Sequence, residues 1–260
     1  MKKEGAGEKV NAVVVIPARY ASTRLPGKLI LPEVKTHTGR YIIEHVYQHA
    51  RQAKRIDRVI VATDDQRIYD IIKSFGGNVE MTSPSHNSGT DRIAEVAGRL
   101  TSDIIVNVQG DEPEIKGCMV DQVVEALEIN KDAVMSTLAH TIKDAAELDN
   151  PHVVKVVLDN QGYALYFSRS PIPYVRDSRD PIHEPAITFL RHLGIYAYRR
   201  DFLLRYSKLP ATHLEDAEKL EQLRAVANGY KIKVAITEYT SIGIDTREDL
   251  KAFLERYKHD

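Results

Sequence analysis

The chain has 260 residues, with hydrophobic residues at 43% and charged residues at 28%, a folded globular composition that excludes disorder over the whole length. Lys plus Arg number 36 against 37 Asp plus Glu, a net charge of −1. No global basic field therefore draws it to nucleic acid or an anionic membrane, and an anionic ligand must be met by a local group of cations. The single cysteine, Cys118, excludes an internal disulfide and a thiolate zinc site and fits a reducing compartment.

Residues 1–11 read as a mobile tail and 12–260 as a single domain, within the usual range of domain lengths. The first apolar run, Ala12 to Ile16, stops at Pro17. It is too short for a signal peptide, and no run approaches the roughly 18 apolar residues of a membrane helix, so the expected location is the cytoplasm. Val13–Ile16, Val59–Thr63 and Ile104–Val108 are β-branched runs ended by Pro17, by Asp64-Asp65 and by Gln109-Gly110-Asp111. Short continuous apolar runs are the pattern of parallel strands buried on both faces. Helical stretches are expected over 40–54, 66–75, 90–100 and 117–130, the last with Val120, Val123, Val124 and Leu127 at helical spacing. The alternation predicts an α/β fold, a doubly wound, mostly parallel, Rossmann-like sheet. Ligands of such sheets bind outside the carboxyl ends of the strands, here the turns after Ile16, Thr63 and Val108.

The second half is less regular. Val153–Leu158 and Tyr163–Ser168 flank Asp159-Asn160-Gln161-Gly162 and read as a hairpin. Residues 169–188 carry Pro171, Pro173, Pro181 and Pro185 and read as a loop. A strand over Phe189–Tyr198, a helix over 214–228, a strand over Val234–Thr237 and a helix over 246–258 complete the chain. Residues 139–235 are assigned to a smaller mixed subregion within the one domain.

Two groups of residues carry chemistry. Arg19, Arg24 and Lys28 fall in the loop after the first strand, with the hydroxyls of Ser22 and Thr23 and the tight turn of Pro26-Gly27. Three cations there suit a triphosphate and the charge that grows on a leaving pyrophosphate; the spacing is not that of a P-loop, and a solvated basic loop is the alternative. Asp111 and Asp245 each lie just past an apolar segment, beside a glycine. Two carboxylates from distant segments suit Mg²⁺, which takes one or two carboxylates with phosphate and water. The alternatives are a turn residue for Asp111 and a helix N-cap for Asp245. His45 and His49, four residues apart, read as a polar helix face, His86 as a loop residue and Cys118 as an unreactive thiol.

Val15-Ile16-Pro17-Ala18-Arg19-Tyr20-Ala21-Ser22-Thr23-Arg24-Leu25-Pro26-Gly27-Lys28 resembles the opening motif of the 3-deoxy-manno-octulosonate cytidylyltransferase (CMP-Kdo synthetase) family. The resemblance continues through His86–Arg92, Asn107–Pro113, Tyr163–Arg169, Phe189–Tyr196, Leu220-Glu221-Gln222-Leu223-Arg224 and Gly243–Thr246, covering about residues 12 to 255. The opening motif alone indicates the wider sugar nucleotidyltransferases; the middle and late motifs narrow it.

The resemblance implies transfer of CMP from CTP to the anomeric hydroxyl of 3-deoxy-manno-octulosonate (Kdo), with release of pyrophosphate, in the service of lipopolysaccharide synthesis. It implies that Arg19, Arg24 and Lys28 bind the triphosphate and leaving group, and that Asp111 and Asp245 hold Mg²⁺. Pro17, Ala18, Ser88, Gly89 and Arg92 fall on the cytidine side; Gln109, Arg169, His192, Tyr196, Glu221 and Gln222 fall on the sugar-acid side. An Arg169 fork matches the sugar carboxylate. A homodimer, with 169–210 as the contact, is also implied. The segment Leu31–Arg40 and Leu29 depart from the pattern beside the triphosphate loop, as do His213 and Asp216 near the sugar side. Asp216 or Glu215 would suit the amine of an 8-amino relative of Kdo, which is one alternative substrate. A sialic-acid cytidylyltransferase, a sugar-phosphate uridylyltransferase and a non-enzymatic nucleotide-binding protein are the others.

Overall fold

The computed structural model describes residues 10–257 apart from 22, 23, 179–181, 183, 185 and 186. Residues 1–9 of the expected tail over 1–11, the hydroxyls of Ser22 and Thr23, and Pro181 and Pro185 of the expected loop lie outside the described residues; Asn11 is part of the fold, its carbonyl accepting from Asp103 N at 2.8 Å.

The described strands form one nine-stranded sheet. They are β1 (Ala12–Ala18), β2 (Arg58–Thr63), β3 (Val79–Met81), β4 (Ile104–Asn107), β5 (Met135–Thr141), β6 (Lys155–Leu158), β7 (Ala164–Ser168), β8 (Leu190–Arg199) and β9 (Ile232–Ile236). The main order is β3-β2-β1-β4-β8-β5-β9. The pairs β2–β3, β1–β2, β1–β4 and β5–β9 are parallel; β8 alone in this row runs the other way, antiparallel to both β4 and β5. β6 and β7 form the expected hairpin, joined to β8 through the pair Lys155↔Arg191. The sheet is thus mostly parallel, as expected, with the strand expected at 189–198 inserted into its centre.

The helices are α1 (Pro32–Thr38), α2 (Ile42–Ala50), α3 (Gln66–Ser74), α4 (Gly89–Gly98), α5 (Gly117–Ile129), α6 (Ala145–Asp149), α7 (Arg200–Tyr206), α8 (His213–Glu218), α9 (Leu223–Ala227) and α10 (Arg247–Arg256). β1 shows why both faces need covering. Its Val14 and Ile16 join one core with Ile43 and Val46 of α2 and Val120 and Val124 of α5. Its Val13 and Val15 join another with Ile93 and Val96 of α4 and Phe202 of α7. Successive side chains of a strand point to opposite faces, so a continuous apolar run feeds two cores at once. In the Pro-rich loop, Ile182 and Ile187 pack with Phe189 on Ile142 and Leu148.

Two segments stand out, and the second differs from expectation. Residues 31–40, which depart from the family pattern, hold a short helix, with Pro32 at its first turn and Gly39 at φ 80° closing it by Gly39 N–H donation to Lys35 O. The helix expected over 214–228 is two helices, α8 and α9, separated where Lys219 takes φ 53°. Glu221 and Gln222 lie in that break.

Candidate active site

β1 delivers Arg19 and β4 delivers Gln109–Asp111 to the same end of the sheet. The backbones approach closely there: a Cβ on Gly110 would lie 3.0 Å from Pro17 O. Ile244 N donates to Asp111 O at 2.8 Å, tying the loop after β4 to the segment before α10. Thr246, not Asp245, caps α10: its hydroxyl accepts from Asp249 N at 3.1 Å. This leaves the Asp245 carboxylate for other work, and it turns to the first loop. Lys28 Nζ donates to Asp111 Oδ2 at 2.5 Å and to Asp245 Oδ1 at 2.8 Å, while Arg24 Nη2 donates to Asp245 Oδ2 at 2.9 Å. Burial works against the Lys28 charge, but Asp111 and Asp245 outweigh it and raise its pKa above the ordinary lysine value. Both carboxylates thus reach a single cationic atom, and such a pair fits a divalent ion whose remaining ligands are phosphate oxygens and water. Among the described residues no third His, Cys, Asp or Glu joins them in a metal-binding group. Glu112, beside Asp111, has its carboxyl pushed up to about 7 by burial and by the Asp111 charge.

Three cavities run across this end of the sheet. One of about 390 Å³ is lined by Arg19, Tyr20, Asp64, Arg67, His86 and Arg92, among others. The next, about 200 Å³, shares Arg19 with it and adds Pro17, Gly89, Gln109 and Asp111. The third, about 130 Å³, shares Gly89 and Gln109 and reaches Tyr196, Tyr206, Glu221 and Gln222. Arg19 Nη2 is buried without a hydrogen-bond partner among the described residues. A desolvated guanidinium nitrogen of this kind calls for an anion. Gln222 Nε2 is likewise buried and unpartnered. A larger cavity of about 680 Å³, between α2, α10 and the segment 113–118, contains none of these groups.

The remaining expected residues fall in different places. Ser88 caps α4, accepting from Asp91 N at 3.0 Å, and Ala18 points its side chain into the core. The Arg92 side chain is fully buried; it donates to Asp64 Oδ2 at 2.8 Å and to Thr82 Oγ1 while facing the first cavity. His192 packs its ring 5.0 Å from Phe167 and 5.3 Å from Tyr196, and burial lowers its pKa to about 3, so it is neutral. Arg169 lines none of the three cavities: Nε donates to Glu218 O at 2.7 Å and Nη1 to Pro151 O at 2.9 Å. Its fork is engaged by main-chain carbonyls. Glu215, expected beside an amine, is paired with Arg224, and Asp216 is 68% exposed.

Thr90, Asn107, Tyr198 and Tyr206 line the third cavity and were not singled out as site residues. Thr90 and Asn107 stand inside the family motifs, beside Gly89 and two residues before Gln109; Tyr206 has no local signal. Thr90 Oγ1 donates to Glu221 Oε2 at 2.8 Å, joining α4 to the break between α8 and α9. Burial raises the pKa of Glu221. Arg67 lies 3.3 Å over the Tyr20 ring, a cation–π contact at the first cavity.

The sequence matches the family model described as Cytidylyltransferase over residues 13–232. It is 50% identical over 249 residues to the 3-deoxy-manno-octulosonate cytidylyltransferase of Geotalea uraniireducens (strain Rf4), covering 94% of this chain and 98% of that protein. It is 47% identical to the protein of the same name from Fusobacterium nucleatum, covering 95% and 96%. The fold superposes with a TM-score of 0.88 and 43% identity on CMP:2-keto-3-deoxy-manno-octonic acid synthetase solved with CTP, covering 95% of this chain and 98% of that one. A TM-score of 0.62 at 19% identity to 4-diphosphocytidyl-2C-methyl-D-erythritol synthase from Anaerococcus prevotii is a likeness of fold alone. Half the positions shared with a curated relative over nearly its whole length, and a superposition at a TM-score of 0.88 over nearly the whole chain, lead to one assignment: the chain belongs to the 3-deoxy-manno-octulosonate cytidylyltransferase family.

Proposed function

We propose that this protein transfers CMP from CTP to the anomeric hydroxyl of Kdo, releasing pyrophosphate. The observation that carries the reading is the meeting of Lys28, Arg24, Asp111 and Asp245 at the strand ends, beside a cavity into which Arg19 brings an unpartnered guanidinium nitrogen. In the reaction an oxygen–phosphorus bond forms between the hydroxyl and the α-phosphorus. The bond from the α-phosphorus to the bridging oxygen breaks, pyrophosphate leaves with that electron pair, and the hydroxyl proton passes to solvent. Such a displacement needs mainly positioning and charge neutralisation. Arg19, Arg24 and Lys28 supply positive charge for the triphosphate and the leaving pyrophosphate. Pro17, Gly89 and Arg92 face the nucleotide, with Ser88 fixing the start of α4. Gln109, Tyr196, Glu221 and Gln222 face the sugar acid, with His192 behind Tyr196; Arg169, whose Nε and Nη1 bond main-chain carbonyls outside these cavities, is assigned no sugar contact.

Mg²⁺ is the proposed cofactor, with Asp111 and Asp245 as its ligands. When bound it would neutralise phosphate charge and lower the pKa of the attacking hydroxyl. We further read the protein as a cytoplasmic homodimer in which 12–260 is one domain, 139–235 carries the sugar and dimer contacts, and the product serves lipopolysaccharide synthesis. No helix of the described residues is long and apolar enough to cross a membrane. The 8-amino sugar is not favoured, because Glu215 is committed to Arg224 and Asp216 faces solvent.

The test is pyrophosphate release with CTP, Mg²⁺ and, in turn, Kdo, its 8-amino relative and sialic acid. Release with Kdo at the highest kcat/KM is expected. No release with Kdo by a protein that still binds CTP would overturn the proposal.

A further inference from the structure

We infer that Tyr206 and Arg224 are positioning residues for the sugar site: they hold the turn between α8 and α9 so that Glu221 and Gln222 face the 130 Å³ cavity. The inference rests on the reading of Glu221 and Gln222 as sugar-facing groups.

The turn needs holding. Its entry residue, Lys219, takes φ 53°, a conformation that non-glycine residues adopt at a penalty and keep only when their surroundings fix it. Helical periodicity alone would run through this stretch and carry Glu221 and Gln222 elsewhere. Three contacts oppose that. Arg224, just past the turn, places Nε 2.9 Å from Glu215 Oε2 and Nη2 2.5 Å from Glu215 Oε1, a two-pronged pair across the turn whose side chains are only 15% and 11% exposed. The planar guanidinium fork fixes direction as well as distance. Tyr206, on α7, donates its hydroxyl to Glu221 O at 2.5 Å, and the Arg224 guanidinium lies 5.3 Å from the Tyr206 ring centre. Thr90 then fixes the Glu221 carboxylate from the other side. With the main chain pinned, Gln222 keeps Nε2 buried with no hydrogen-bond partner among the described residues, a donor that a substrate oxygen would satisfy.

The variants are Tyr206→Phe, which keeps the ring and removes only the hydroxyl, and Arg224→Lys, which keeps the charge and loses the fork. Initial rates are measured with Kdo and CTP varied separately, beside thermal unfolding and a Glu221→Ala control. The expected result is a rise in KM for Kdo of about tenfold in each variant, with KM for CTP within about twofold of the unaltered protein. A KM for Kdo unmoved in both variants, or a parallel rise in both KM values, overturns the positioning role. Should Arg224→Lys fail to fold, Tyr206→Phe decides alone. If Glu221→Ala itself leaves KM for Kdo unchanged, the sugar-site reading falls and the inference with it. If that control responds and the two variants do not, only the inference falls.

Discussion

Lys28 Nζ lies 2.8 Å from Asp245 Oδ1 although the two residues are 217 positions apart in the chain. The same nitrogen neutralises Asp111. Removing it leaves Asp111 without this counter-charge and Asp245 with Arg24, an arrangement that favours any cation able to bridge the two carboxylates. Lys28→Met should therefore bind Mn²⁺ more tightly than the unaltered protein, followed by electron paramagnetic resonance, while turnover falls by about 100-fold or more through the lost leaving-group charge. Weaker Mn²⁺ binding in the variant would show that Lys28 does not compete with a metal for this pair.

Asp111→Asn tests the other side of the same contact. The substitution keeps size and hydrogen-bonding capacity but removes one of the two negative charges. Turnover with Kdo should fall by roughly 100-fold or more, the scale on which one preorganised charge acts. CTP binding should weaken much less, because Arg19 and Arg24 remain. Near-normal turnover would remove Asp111 from the metal site.

The parallel half of the sheet was legible because its strands are apolar on both faces: Val13 to Ile16 feed two cores in alternation. The polar strand β5 was not. Its Ser136 and Thr137 are fully buried, their hydroxyls donating to Val123 O and Ile195 O, so tertiary hydrogen bonds make a strand where composition shows none. The break at Lys219 escaped for a related reason. The 214–228 stretch has helical character throughout, and the contacts at its interruption, Tyr206 to Glu221 O and Arg224 to Glu215 across the turn, form only in the folded chain. Gln109, Asp111 and Glu221 stand inside motifs, and the structure brings them to the cavities at the strand ends. The commitment of Arg169 to Pro151 and Glu218 was not legible, because hydrogen bonds to main-chain carbonyls leave no mark in the residue pattern.

Two glycines with contrasting surroundings test the packing of α5 and α4. A Cβ on Gly117 would lie 2.6 Å from Ala53 N and 2.7 Å from Gln52 C. Those atoms are main chain and cannot swing aside, so Gly117→Ala should destabilise the protein by about 1–3 kcal/mol, seen as a lower Tm. A Cβ on Gly98 meets nothing within 4 Å, and Gly98→Ala should be neutral or raise stability by up to ~1 kcal/mol. Equal Tm values for the two variants would contradict the close approach of α5 to the 52–53 backbone.

Acid stability follows from His45. Burial, reinforced by His49 and Arg40, lowers its pKa to about 4, and its ring lies 5.1 Å from Tyr257 while Nε2 hydrogen-bonds Thr38 Oγ1 at 2.8 Å. Above roughly pH 6.5 the imidazole is neutral in both folded and unfolded chains and contributes no pH dependence. Below that, the unfolded chain takes up a proton that the folded one refuses until about pH 4. Stability must therefore fall as pH falls through this window, by on the order of 2–3 kcal/mol for the one group. His192, lowered to about 3 by burial, adds a decline of the same sign. Urea unfolding at pH 7, 6, 5 and 4.5 should show this decline, and His45→Gln should have a shallower slope by close to one proton, since it cannot charge in either state. Parallel slopes for the two proteins would mean that His45 takes up its proton in the fold as readily as out of it.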